Sequence, residues 1–388
     1  LSGAWRVIAL CSLASFADGY DIQTLGLAIP GMAAEYGVTP PELTFAVSAS
    51  LVGTALGAMF LGPLGDRLGR KEMLIAFLAL IGATSIGTTL ADDLMSLSLW
   101  RFACGLGLGA IVPVAVAAVA EAASARHRTF AVTLMVICTP LGSFCAGFAG
   151  AAIEPAWGWQ AIFATGGAFA LVAAVLVWMM MPPLRVQGES GASPSPRALL
   201  TGPLRNRTVL LSIVFWLNLF VAYSLISWLP SLLADAGWER SSAQRATGML
   251  ALGGMSGGLM MAWLVDRGFA GRALAASYMI TAGLFLAFAV GTESRAVWMV
   301  LIVLVGAGCI GAQMALGSFS ASLFPPELRA TGVGWTGGFG RIGAIVGPMA
   351  LAAMLAAQVM PAMILATLMV PMVFCAIGVI ALTRSLAR

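Results

Sequence analysis

"GPLGDRLGRK", residues 62–71, crowds Asp66, Arg67, Arg70 and Lys71 into a short island between two long apolar runs. Two hundred residues later "LVDRGFAGR", residues 264–272, answers it, with Asp266 in the place of Asp66. A second pair of islands, "ARHRT" (125–129) and "ELRAT" (327–331), puts Arg128 and Arg329 at nearly the same separation. The chain reads as one design written twice.

The medium in which that design folds follows from composition. Of 388 residues, 60% are apolar and only 9% charged, with a mean hydropathy of +0.97. A water-soluble domain carries about 25% charged residues. Most of this surface therefore faces lipid, and the fold class expected is an all-α membrane protein.

Apolar runs of about 20 residues, the length that crosses a ~30 Å hydrocarbon layer, recur from end to end. They lie near 5–30, 43–64, 73–91, 96–120, 129–150, 158–181, 208–233, 244–265, 273–291, 296–321, 331–355 and 361–384, which makes twelve expected transmembrane helices. The longest polar interruption, 182–207, is rich in Pro, Ser, Gly and Arg and reads as a cytoplasmic linker. It separates an N-terminal six-helix bundle, 1–181, from a C-terminal one, 208–388.

Basic residues fix the expected orientation, because positive loops stay in the cytoplasm. With both termini cytoplasmic, fifteen of the 20 basic residues fall inside, only Arg240, Arg245 and Arg295 fall outside, and Arg101 and Arg341 fall within spans. The net charge of +4 thus reflects topology and gives no sign of nucleic-acid binding. The six cysteines lie in apolar spans without metal-like spacing and read as small buried hydrophobes. The sequence begins at Leu1, so a preceding tail is expected, and no cleavable signal peptide is seen.

An ionisable side chain at the bilayer centre costs roughly 2.5 to 3.5 kcal/mol, so each one needs a partner or a role. In the first span, "FADGYDIQ" (16–23) places Asp18 and Asp21 three residues apart on one helix face, with Gly19 between them leaving room for a neighbour. In the fourth span, Arg101 precedes the small-residue stripe of Gly105 and Gly109, which allows close helix packing and a reach to Asp21. Low dielectric favours a protonated aspartate and a nearby arginine an ionised one. Moving the arginine, or giving it a substrate carboxylate, would let the aspartate take up a proton; a static pair that orients two helices is the alternative.

Arg341 stands about ten residues into the eleventh span, in "GWTGGFGRIGAIVGP". Its repeat counterpart is near Pro140, so the charge is not shared between halves. A bound anion is one expected partner; Asp18 or Asp21 is the other. On the cytoplasmic side, Asp66 and Arg67 with Arg70, Glu121, Asp266 and Arg329 read as gate residues, Arg70 being within reach of Glu121. His127, the single histidine, reads as a surface residue in a positive loop.

A parallel repeat of six-helix units joined by a long linker is how transporters of the major facilitator type are built, with a midplane site between the halves. More specifically, "DGYD" in the first span, "SLISWLPSLL" (224–233) and "PPELRATGVGWTGGFGRIGAIVGP" (325–348) resemble the aromatic acid:proton symporter family of that superfamily. The resemblance implies import of benzoate-like, hydroxybenzoate-like or phenylpropanoid acids with protons across a bacterial inner membrane. It carries the family's functional residues onto Asp18, Asp21, Asp66, Arg70, Arg101, Glu121 and Arg341. "VDRGFAGR" is a looser copy of the loop motif, so a weaker second latch is expected. Tyr20, Phe16, Tyr223, Trp228, Trp335 and Phe339 are candidates to stack on a ring, and Asn218 and Gln313 to read a ring hydroxyl. A drug/proton antiporter or a carrier of another organic acid shares the scaffold. No enzyme motif, cofactor site or metal cluster is found, and a monomer working with substrate, protons and lipid is expected.

Overall fold

The structure, a computed structural model, describes residues 3–124, 127–183, 199–201, 204–290, 294–325 and 328–386. The expected linker lies largely outside the described residues, at 184–198 and 202–203, and so do the side chains of Asp66 and Arg67. Among the described residues the regular structure is helical throughout, with no strand.

The helices are α1 (Gly3–Tyr36), α2 (Thr44–Leu56, continued by a π-helical segment Gly57–Leu61), the short α3 (Leu64–Leu68), α4 (Arg70–Thr88), α5 (Leu94–Ala122), α6 (Arg128–Trp157) and α7 (Gln160–Met180). The second half supplies α8 (Leu204–Asp235), α9 (Arg240–Asp266), α10 (Ala270–Ala289), α11 (Arg295–Leu323), α12 (Arg329–Ala356) and a last span made of α13 (Pro361–Thr367) and α14 (Met369–Leu386). Each of the twelve apolar runs is thus helical. Eleven of these segments are long and apolar enough to cross a membrane. The exception is α1, where Asp18, Asp21, Gln23 and Thr24 dilute the apolar character of a 34-residue helix.

Two compact units are present. One comprises Leu1–Glu189 with Trp238–Gly248, and the other Ser190–Gly237 with Met249–Arg388. α9 therefore contributes its first turns to one unit and its remainder to the other. Within the first unit α1 packs on α6, α2 on α5, and α4 on both α5 and α7. Within the second, α8 packs on α12, α10 on α11 and α14, and α9 on α11. The same pairing is used twice, as the repeated islands imply.

Glycine sets the helix spacing, because membrane helices gain little from apolar contact with each other and rely on close packing. A Cβ on Gly105 or Gly109 would strike the α2 backbone at Ser50 or Thr54, and one on Gly253 or Gly257 would strike α11 at Val303 or Ala307. Between α1 and α6, Gly19 faces the Thr139 carbonyl, Gly142 faces that of Phe16, and Ser143 Oγ donates to the Gly19 carbonyl at 2.7 Å. The neighbour for which Gly19 leaves room is the main chain of α6.

The first helix of each unit ends at a glycine in the left-handed region, Gly37 (φ 65°) and Gly237 (φ 82°). Val38 N donates to Ala33 O at 3.1 Å, the six-to-one bond that closes a Schellman stop. α5 starts at a capping box in which Asp93 accepts from Ser96 N at 2.7 Å. That backbone amide holds the Asp93 carboxyl below the usual carboxylate range.

A leucine placed into these backbone contacts should act as severe overpacking. We expect Gly109→Leu and Gly257→Leu each to cost roughly 2 kcal/mol or more in unfolding measurements in detergent. Gly283→Leu, where a Cβ meets open space, should shift stability by less than about 0.5 kcal/mol.

Candidate functional site

The most densely bonded charge in the first unit is the Asp21 carboxylate, a little past the middle of α1. Arg101 of α5 reaches it with Nη2 at 2.6 Å from Oδ2 and Nη1 at 3.4 Å from Oδ1, a forked approach of the kind guanidinium makes to carboxylate. Both residues are buried, Arg101 at 1% exposed and Asp21 at 3%. The Ser85 hydroxyl of α4 donates to Oδ1, and the Cys104 thiol lies 3.4 Å from Oδ2. The Arg101 guanidinium carbon stands 5.2 Å above the Phe163 ring of α7. Four elements thus converge on one ion pair.

Donors on every side stabilise the ionised carboxylate, which offsets the cost of removing it from water. The arrangement has one slack bond: Arg101 Nε is buried without a hydrogen-bond partner among the described residues. Its fork can turn away from Asp21 without losing a second anchor at that atom.

Asp18, one turn earlier, is buried at 4%. Tyr20 is turned toward α7, with its hydroxyl 3.0 Å from Thr165 Oγ1 and its ring over Gly166, and Phe16 stacks 5.0 Å from Phe169. These two aromatic rings are occupied in packing.

In the second unit, Arg341 lies twelve residues into α12, about 18 Å along the axis at 1.5 Å per residue. It is half-buried and makes no hydrogen bond or ion pair among the described residues. Gly334, Gly337 and Gly338 lie one and two turns before it on the same helix side, and no atom stands within 4 Å of where their Cβ atoms would be. On α11, Gln313 is half-buried, and Gly317 one turn on also faces open space. Trp335 and Phe339 are exposed, at 40% and 41%.

On α8, Tyr223 is half-buried, whereas Asn218 and Trp228 are fully buried. Asn218 donates to the Cys309 carbonyl at 3.2 Å; its Oδ1 and the Trp228 indole nitrogen have no partner among the described residues. The sequence alone does not separate these buried groups from the open ones, because both types sit on apolar helices.

Arg70, at the start of α4, meets Glu121 near the end of α5 at 3.0 Å and 3.2 Å. Lys71 donates to the Met181 carbonyl at 2.6 Å and so ties the same loop to the end of α7. Asp266, at the end of α9, and Arg329, at the start of α12, are both exposed. His127 is exposed and 3.1 Å from Ser124 Oγ.

Sequence reasoning passed over Ser85, a small hydroxyl in an apolar run, and read Cys104 as mere packing. It also passed over Glu154, because it ended the fifth span at 150. α6 runs on to Trp157, which brings Glu154 inside the helix and buries it at 6%. The "EP" at 154–155 carried the signal: a carboxylate in the last turns of a helix that Pro155 does not stop.

The family model described as Major Facilitator Superfamily matches residues 11–348. The 4-hydroxybenzoate transporter PcaK of Pseudomonas putida is 31% identical, over 97% of this chain and 92% of its own. The 3-(3-hydroxy-phenyl)propionate transporter of Escherichia coli K12 is 36% identical, over 90% and 86%. Among solved structures, a D-xylose-proton symporter superposes with a TM-score of 0.73 at 16% identity, covering 99% of this chain and 97% of that one; this likeness speaks for the fold alone. With the family model spanning most of the sequence and the helix pairing repeated in both units, the chain belongs to the Major Facilitator Superfamily and is a membrane transporter, not an enzyme.

Proposed function

We propose that the protein imports small aromatic carboxylates together with protons, by alternating access to a site between an N-terminal and a C-terminal six-helix bundle. The proposal includes a bacterial inner-membrane location with both termini cytoplasmic, and action as a monomer. One observation carries the substrate's charge: Arg341, half-way along a membrane helix, has no partner among the described residues and is flanked by open glycine surface. Leaving a cation uncompensated at that depth is costly, and an anionic cargo removes the cost. The names of the relatives, which are transporters of hydroxybenzoate and hydroxyphenylpropionate, supply the aromatic part of the reading.

The half-buried or exposed Tyr223, Gln313, Trp335 and Phe339 are the groups best placed to meet a ring or its hydroxyl in this state. Tyr20, Asn218 and Trp228 require a rearrangement first, since all three are buried.

Proton coupling follows from electrical work and from the Asp21 site. Moving a monoanion into a cell with a negative interior costs ~2.3 kcal/mol per 100 mV, and one proton cancels that charge. Asp21 holds its negative charge as long as Arg101 stays. Withdrawal of Arg101 leaves a buried carboxylate without its cation, and a proton then becomes the cheapest compensation. Asp18, on the same helix face, is the neighbour through which that proton would pass. Arg70 with Glu121 closes the cytoplasmic side in one state and parts in the other, in company with Asp66, Arg67, Asp266 and Arg329.

Uptake of radiolabelled aromatic acids into proteoliposomes tests the reading. An acid-outside gradient should drive accumulation, and no stimulation by that gradient would count against symport. Arg341→Ala should raise the half-saturating concentration of every carboxylate tested by roughly tenfold to a hundredfold, the equivalent of about 1.5 to 3 kcal/mol for a hydrogen bond to a charged group. Asp21→Asn should abolish gradient-driven accumulation while exchange of preloaded for external substrate persists; undiminished accumulation would remove Asp21 from the proton path.

A further inference from the structure

Away from both charged loops, the last turns of α1, the end of α6 and the first turns of α9 are joined by another buried carboxylate, Glu154. Glu154 Oε1 lies 3.2 Å from Arg240 Nη1, and Gln244 Nε2 donates to Oε2. The same Gln244 nitrogen is 3.3 Å from the Leu27 carbonyl, and Arg240 Nη2 is 3.3 Å from that of Pro30. α9 can come this close because Gly147 of α6 and Gly248 of α9 meet main chain to main chain. The Glu154 side chain is 4% exposed, while that of Arg240 is 46% exposed.

Two features set this bridge apart from a static one. It holds the segment Trp238–Gly248, after which α9 passes to the other unit at Met249. Gln244 Oε1, in addition, is buried without a partner among the described residues. A carboxylate at 154 takes the amide's N–H; a carboxylic acid there would need an acceptor, and a half-turn of the same amide presents Oε1. The site is furnished for both protonation states.

We propose that Glu154 is a second proton-binding site of the transporter, and that its protonation releases Arg240 and the first turns of α9, so that acidity outside favours opening of the outer side. The proposal rests on the orientation given above. One proton adds to the carboxylate, its charge goes from −1 to zero, and Arg240 passes to water. The other charged or titratable groups nearby are Glu35 and Tyr36 on α1 and Glu239 and Arg245 on α9. Glu35 is held by Trp159 Nε1 at 2.7 Å and Gln160 Nε2 at 2.9 Å, Glu239 by Ser241 at 2.9 Å and Arg245 by Ser242 at 3.0 Å. None of these four bonds to Glu154 or Gln244 among the described residues.

The test is reaction of Ala151→Cys, on the same α6 stripe as Gly147 and Glu154, with a membrane-impermeant maleimide added outside. The background is the full chain carrying Cys138→Ser and Cys145→Ser in proteoliposomes. Rates are normalised at each pH to the denatured chain, which cancels the thiol's own ionisation. The normalised rate should rise at least threefold between pH 7.5 and pH 5.5. Glu154→Gln should label at a raised rate that no longer changes with pH, and Arg240→Gln, which removes the cation favouring the carboxylate, should move the transition to higher pH. An unchanged pH profile in Glu154→Gln overturns the proposal. If that variant fails to fold, an unmoved transition in Arg240→Gln overturns it instead. No substrate is added, so this result stands or falls separately from the assignment of aromatic carboxylates.

Discussion

A charge placed in hydrocarbon must be compensated within reach of its own side chain, and in the first unit that rule organises the centre of the helix bundle. The Asp21 and Arg101 pair draws α1, α4, α5 and α7 to one point through Ser85, Cys104 and Phe163. Replacing such a pair by apolar residues is often neutral or stabilising, whereas removing one member leaves an uncompensated buried charge. Its presence therefore argues for use more than for stability. The close approach of α2 and α5 on Gly105 and Gly109 frames the same helix from which Arg101 projects.

The second unit repeats the pairing of helices without repeating the charge. α12 occupies the place in its unit that α6 occupies in the first, and Arg128 and Arg329 stand at the two helix starts. Where α6 has Pro140, α12 has Arg341. One unit thus satisfies its central ions internally, and the other exposes a cation beside a glycine surface. In the function proposed above, this division assigns hydrogen ions to the first unit and cargo to the second.

Much of this was legible in the sequence because the bilayer enforces long, apolar, hydrogen-bonded helices. The spans read from hydropathy fall within a few residues of the helices observed. The largest differences are at the C-terminal ends of α1 and α6, which stay helical through Glu35 and Glu154. The approach of Arg101 to Asp21 and of Arg70 to Glu121 could be argued from spacing, since each needs only a residue at a known depth. What escaped were groups whose importance depends on which helix faces which: Ser85, Cys104 and Glu154 look unremarkable along the chain. The same limit applies to the aromatic residues. Tyr20 and Trp228 turned inward, Trp335 and Phe339 outward, and nothing in their local sequence distinguishes them.

The glycine contacts between α1 and α6, and between α9 and α11, bring main chain directly onto main chain with no intervening layer of side chains. Rotamer changes cannot absorb strain where there are no rotamers, so each such pair behaves mechanically as a single stiff beam. Asp21 and Glu154 are borne on the two members of one such pair, so that a shift of either helix at these contacts has to carry its neighbour with it.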